Sequence, residues 1–202
     1  MQPKTIERRN FIATMKRMVA EDGSETRMIE GYAAVFDSPT NLGWFNEVIE
    51  QGAFDEAIKT SDVRALFNHD PNFLLARSAQ GNGTLKLSVD SKGLRYEFES
   101  PNTQCGNDLL EMIERGDLSQ SSFGFTIKES VWESKKLDND EEEETRRIKV
   151  VDILYDVSPV TFPAYQDTTV AKRSFDLYKK EDTPAKADTL ARDLRALKLR
   201  IA

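Results

Sequence analysis

Cysteine and histidine are nearly absent: the 202 residues hold one of each, Cys105 and His69. A single cysteine cannot form an internal disulfide, which fits a reducing compartment. One Cys and one His also leave too few ligands for zinc, which usually draws on several, so neither a metal nor a cofactor is expected. No apolar run reaches the roughly 18 residues of a helical membrane span. Met1-Gln2-Pro3-Lys4 opens the chain without an apolar h-region, so no secretory signal is expected. Positive charge is scarce outside the C-terminus. The formal net charge is -7; residues 172–202 carry nine Lys and Arg against five Asp and Glu, leaving 19 against 30 elsewhere. An acidic body does not suit a nucleic-acid partner, whereas the basic tail suits an acidic protein surface.

What is present is enough for one domain: 22.9 kDa with 39% apolar and 31% charged residues. Residues 11–20 and 27–36 read as two strands around the turn Glu21-Asp22-Gly23-Ser24. Residues 53–59 suit a short helix. A strand is expected over 62–69, ended by Asp70-Pro71-Asn72, and further strands over 74–77, 84–89 and 94–99. Asp90-Ser91-Lys92-Gly93 joins the last two as a hairpin turn. Asn107 caps a helix over 107–115 with Leu109, Met112 and Ile113 as its stripe and Gly116 as its stop. Residues 118–128 form a strand beside a long hairpin over 131–157, whose acidic tip, Asp138 to Glu144, reads as a solvated loop. A linker follows, and residues 188–202 form an amphipathic helix along Leu190, Leu194, Leu197 and Ile201.

His69 is the only side chain whose ordinary pKa suits proton exchange near neutrality, and a serine-rich run stands about fifty positions on at Ser119-Gln120-Ser121-Ser122. A period of two puts Ser119, Ser121, Phe123 and Phe125 on one face and Gln120, Ser122, Gly124 and Thr126 on the other. The phenylalanines claim the core and hide Ser121. Ser122 then faces the open side, beside Gly124, which leaves room for a substrate backbone. A serine–histidine pair needs an orienting carboxylate. Asp152 and Asp156 flank Leu154 and share a face; Asp70 points away and is the weaker choice.

Five segments resemble one family in order and spacing: Gly31 to Asp37, Phe45 to Phe54, Leu66 to Asp70, Asp117 to Phe125, and Leu154 to Tyr165. Over residues 10–170 the chain resembles the prohead (capsid maturation) proteases of tailed bacteriophages, which are related in fold to herpesvirus assembly proteases. The resemblance implies an α+β, mainly β fold: a compact antiparallel β-barrel with peripheral helices. It divides the chain into a protease domain over 1–170, a linker over 171–187 and the C-terminal helix over 188–202, a targeting or self-cleaved segment. It implies a serine endopeptidase with Ser122 as nucleophile, His69 as base, Asp156 as the acid with Asp152 second, and the Ala164 backbone N–H at the oxyanion. It implies the major capsid protein and scaffold segments as substrates, along with the chain itself. The place of action is the assembling prohead in the host cytoplasm. The related viral proteases activate by pairing, which admits a homodimer.

Two other functions compete. A non-enzymatic scaffolding or assembly protein would keep the β core and the tail but not the chemistry. A cysteine hydrolase would pair Cys105 with His69, since a helix N-terminus beside Gly106 lowers a thiol pKa.

Overall fold

Alternating apolar and polar residues become twelve strands and three helices among the residues described by the computed structural model: 5–11, 15–23, 25–138, 142–162 and 168–181. In chain order these are β1 (Glu7–Phe11), β2 (Lys16–Val19), β3 (Glu25–Val35), β4 (Thr40–Asn41), β5 (Asn46–Ile49), α1 (Ala57–Thr60), β6 (Asp62–Phe67) and β7 (Asp70–Ala79). There follow β8 (Asn82–Gly83), β9 (Leu85–Val89), β10 (Gly93–Glu99), α2 (Gln104–Glu114), β11 (Gln120–Lys136), β12 (Glu142–Val160) and α3 (Thr168–Glu181).

The strands form two sheets rather than the closed barrel that was expected. The larger runs β1-β11-β12-β6-β7-β8, with β5 beside β12 and β4 beside β5; the smaller runs β2-β3-β10-β9. Closure fails among the described residues because β1 and β8 end the larger path and no ladder joins them. The 19-residue β12 organises this sheet. It pairs antiparallel with β11 and parallel with two strands, β5 at residues 145–148 and β6 at 156–157. Four register shifts interrupt the β11–β12 ladder. Each inserts extra residues, and such bulges bend and twist the strands that carry them.

One core unites the sheets. Phe123 and Phe125 stack at 4.7 Å and are fully buried, with Phe54 edge-on to Phe123 at 5.6 Å. Tyr96 and Phe98 reach the same core from the smaller sheet. The hairpin turn at Asp90 is as expected, its carboxylate accepting from the Lys92 and Gly93 amides. Helix α2 starts earlier than expected: Thr103, not Asn107, caps it by accepting from the Gly106 amide.

Two expectations for the chain's second half change. The acidic run is not wholly solvated, because Glu144 is buried and ion-paired with Lys179 of α3. The linker expected over 171–187 is helical to Glu181. Ala171, Phe175 and Tyr178 recur at helical spacing; Ala171 and Phe175 pack on Leu42 and Phe45, and the Tyr178 ring stacks on Trp132 at 4.5 Å. The amphipathic helix expected over 188–202 lies outside the described residues.

Candidate active site

The site begins at a two-residue turn. Strand β6 stops at Phe67, which pairs with Asp70 at the start of β7, so Asn68 and His69 alone make the connection. Two-residue hairpins of type I′ require a left-handed backbone at both central positions. Asn68 and His69 have φ of 55° and 59°. Asparagine tolerates this region; histidine is held there at a cost. His69 was expected to continue the strand; it stands instead on the turn. The turn is tied to the end of β12. The Asn68 amide donates to the Pro159 carbonyl at 2.9 Å, its Nδ2 donates to Thr161 Oγ1 at 3.0 Å, and its Oδ1 accepts from the Thr161 amide at 2.8 Å. Asp70 opens β7, its carboxylate accepting from the Asn72 amide at 2.8 Å.

Ser122 lies near the start of β11, opposite Asn10 of β1 and Ser158 of β12. The alternation separates the two serines as expected. Ser121 turns to the core, where its Oγ meets the Tyr96 hydroxyl at 2.6 Å. Burial pushes the Tyr96 phenol far above its ordinary value, and the contact with Ser121 offsets only part of that rise. The Ser122 face is not open, however. Ser122 is as fully buried as Ser121, because β1 covers it. Nor does Gly124 leave space for a substrate. A Cβ there would stand 2.5 Å from Asp156 Oδ2, so the missing side chain admits the acid.

Asp156 reaches this face through a bulge. Gly124 pairs with Asp156 but Phe125 pairs with Leu154, leaving Tyr155 as the extra residue. Leu154 therefore turns to the core and Asp156 to the serine. The simple alternation that put Asp152 and Asp156 on one face is broken here and again beyond Ile153. Asp152 stays half-buried four residues back.

The three side chains meet around the imidazole. His69 Nδ1 is 2.5 Å from Asp156 Oδ1, and Nε2 is 2.6 Å from Ser122 Oγ. A carboxylate only accepts, so the proton on the Asp156 side belongs to Nδ1, and Nε2 is left to accept from the serine. Ser158 Oγ donates to the same Asp156 oxygen at 2.6 Å. Neither Ser158, two positions after Asp156, nor Asn68 stood among the expected site residues. Ala164, the expected oxyanion donor, lies outside the described residues. Cys105 sits near the start of α2, where burial above all, then Asp108, pushes its thiol up rather than down. Both imidazole nitrogens are engaged without it.

A second constellation adjoins the first. Glu7 and Arg9 of β1, Glu47 of β5 and Arg146 of β12 are all buried. Arg9 Nε donates to Glu47 Oε1 at 2.5 Å, and Arg146 Nη2 donates to Glu7 Oε2 at 2.6 Å. Arg146 Nε reaches Glu47 Oε2 at 2.8 Å, and Arg9 also pairs with Glu7. Burial alone would raise the Glu47 carboxyl, but the charges of Arg9 and Arg146 hold it below the usual carboxylate range. Arg146 follows Asp156 backwards along β12 by ten residues, roughly 30 Å if the strand were straight. The bent hairpin brings it to β1 all the same. The carbonyl of Arg9 accepts from Ser122 Oγ at 3.0 Å.

A hydroxyl, an imidazole and a carboxylate joined in this order are the arrangement by which serine hydrolases make a hydroxyl nucleophilic. The chain belongs to the caudovirus prohead serine protease family, which it matches over residues 14–181. Among solved structures it is similar to the bacteriophage T4 capsid assembly protease, gp21. The two are 11% identical, with 79% of this chain and 99% of that one covered and a TM-score of 0.44. No curated protein matches the chain.

Proposed function

We propose that this chain is the serine endopeptidase of phage capsid maturation, with Ser122 as nucleophile, His69 as general base and Asp156 as the orienting acid. Its substrates are capsid-protein and scaffold segments inside the immature head, and its own chain. The observation that carries this is the imidazole of His69 held between Asp156 Oδ1 and Ser122 Oγ.

Ser122 Oγ attacks the scissile carbonyl carbon as its proton passes to His69 Nε2. Asp156 stabilises the imidazolium through Nδ1–H. The C–N bond breaks as His69 returns the proton to the leaving amine, leaving an ester on Ser122. Water, deprotonated by His69, attacks that ester and frees the acid. The oxyanion needs a fixed donor, and the Ala164 N–H, shortly after the end of β12, is the candidate. The third member is Asp156 rather than Asp152, in line with the 2.5 Å contact to Nδ1.

Strand β1 supports self-cleavage. It adds to the edge of β11 as a peptide substrate adds to a sheet. It also precedes the residues that match the family. The carbonyl touching Ser122 belongs to the Arg9–Asn10 peptide. In a hydrogen-bonded carbonyl the oxygen faces the hydroxyl and the carbon lies behind it, so this is a resting pose. The single hydroxyl proton is shared between Nε2 at 2.6 Å and the Arg9 carbonyl at 3.0 Å, and it passes wholly to Nε2 when the strand shifts. The C-terminal tail beyond α3, with its basic bias, is the segment that targets the enzyme or is trimmed.

Prolonged incubation of the purified chain beside Ser122→Ala, with capsid protein present and intact-mass readout, tests the proposal. Trimming by the parent alone is expected. Equal persistence of both, with no fluorophosphonate labelling of Ser122, would favour a non-enzymatic assembly protein.

A further inference from the structure

We propose that Glu47 and Arg146 are the specificity-determining residues of this protease. It cuts extended segments after an arginine or lysine that follows a glutamate or aspartate by two positions. The proposal rests on Ser122 being the nucleophile.

The four buried charges divide between two parts of the molecule. Glu7 and Arg9 come from β1, the strand lying on Ser122; Glu47 and Arg146 come from β5 and β12, in the body. If β1 occupies the substrate position, the residue whose carbonyl meets Ser122 is Arg9. Its side chain enters a site closed by Glu47, which takes Nε at 2.5 Å and Nη2 at 3.3 Å of one guanidinium. That two-pronged grip matches the fork of arginine better than the point charge of lysine. Two residues earlier, on the same face of the strand, Glu7 is gripped in the same manner. Arg146 Nη1 and Nη2 reach its two oxygens at 3.2 and 2.6 Å. Phe45 lies against the Arg146 guanidinium at 5.2 Å and holds it in place.

The alternate residues face the other way. Arg8 is exposed and Ile6 is 44% exposed, so the body encloses neither side chain. Recognition therefore falls on the cleaved residue and the one two before it, with the residue between left unread. When β1 leaves, Glu47 and Arg146 keep each other but lose two of four partners inside a groove. Buried charges tolerate such loss poorly. A segment carrying the same charges in the same order restores both; the reversed order sets like charges together. A pair of body residues of opposite sign, spaced to match alternate positions of a strand on the nucleophile, is what a substrate-reading groove requires.

The test uses the full chain and internally quenched peptides built on Glu-Ala-Arg-Asn, with Leu or Glu in place of the Arg and Ala or Lys in place of the Glu. Cleavage after Arg with kcat/KM roughly 100-fold above the Leu peptide is expected. A smaller drop is expected when Lys replaces the Glu. Glu47→Gln should shrink the Arg-over-Leu ratio, and Arg146→Gln the Glu-over-Lys ratio, each leaving the other ratio in place. A structural role alone would slow all peptides equally and leave the ratios unchanged, which would overturn the proposal. Cleavage without these preferences would overturn it too. Fluorophosphonate labelling of Ser122 separates the two failures. Labelling with the wrong preference sinks the subsites only; no labelling and no cleavage sinks the serine-protease function with them. Circular dichroism checks that both variants fold, and Arg9→Leu adds an independent arm. Cleavage of the chain after residue 9 should slow by a similar factor while the body's peptide preferences stay unchanged.

Discussion

Gly124 faces Asp156 across the β11–β12 pair with no room for a methyl group, since a Cβ on Gly124 would stand 2.5 Å from the Asp156 carboxylate. The contact of that carboxylate with His69 Nδ1 thus depends on a side chain that is not there. Gly124→Ala should push the carboxylate off Nδ1 and lower turnover about 10- to 100-fold, as misplacements of about 1 Å do. Thermal melting should fall by a few degrees only. An undiminished rate would mean that the carboxylate is not required where it lies.

Asp156 and Asp152 can be separated directly. Asp156→Asn preserves the shape but favours the wrong imidazole tautomer, and turnover should drop about 10⁴-fold. Asp152→Asn should change it by less than about threefold. The opposite ranking in a peptide-cleavage assay would move the acid to Asp152.

The turn at Asn68 is a positioning device. Asn68→Ala removes both side-chain bonds to Thr161 and the residue type that accepts φ of 55°. A loss of roughly 1–3 kcal/mol of stability is expected, together with slower turnover. Asn68→Gly should recover stability but not rate, because it relieves the backbone without restoring the clamp. Recovery of both would show that the clamp does nothing for His69.

Ser158 donates to the same oxygen of Asp156 that His69 uses. Ser158→Ala should leave the fold intact and slow turnover about tenfold, with an unchanged KM for peptide. A change confined to KM would assign Ser158 to substrate contact instead.

Acid should loosen β1. Glu47 has a folded-state pKa below its ordinary value, so its contribution to stability is fully present above the ordinary carboxylate range. It is lost as the pH falls through the lowered folded value. Protonation leaves Arg9 and Arg146 buried with less negative charge to face. Hydrogen exchange at the β1 amides should therefore quicken as the pH drops below about 4, relative to the intrinsic rate. Constant protection there would show that Glu47 does not hold the strand.

Much of this was legible in the sequence, for identifiable reasons. One histidine, a serine on the face opposite Phe123 and Phe125, and two aspartates on the partner strand limited the site to a handful of residues. Turn residues marked Asp90 to Gly93, and the period of two marked most strands. Strand β1 escaped because Glu7, Arg8, Arg9 and Asn10 carry no apolar alternation; the burial of Glu7 and Arg9 depends on partners 139 and 38 residues away. Helix α3 escaped because its lysines hid the stripe of Ala171, Phe175 and Tyr178.

The sequence by itself determined the residue types of the chemistry and the parity that sets Ser122 apart from Ser121, because strand alternation is local. Tertiary structure alone decided the rest. A bulge at Tyr155 aimed Asp156 at His69 and broke the alternation that had put Asp152 on the same face. A left-handed turn, fixed by the end of β12, put His69 between acid and serine. The bend of the β11–β12 hairpin carried Arg146 to Glu7. Bulges, turns and bends are fixed by how distant strands pack, and no local period in the chain encodes them.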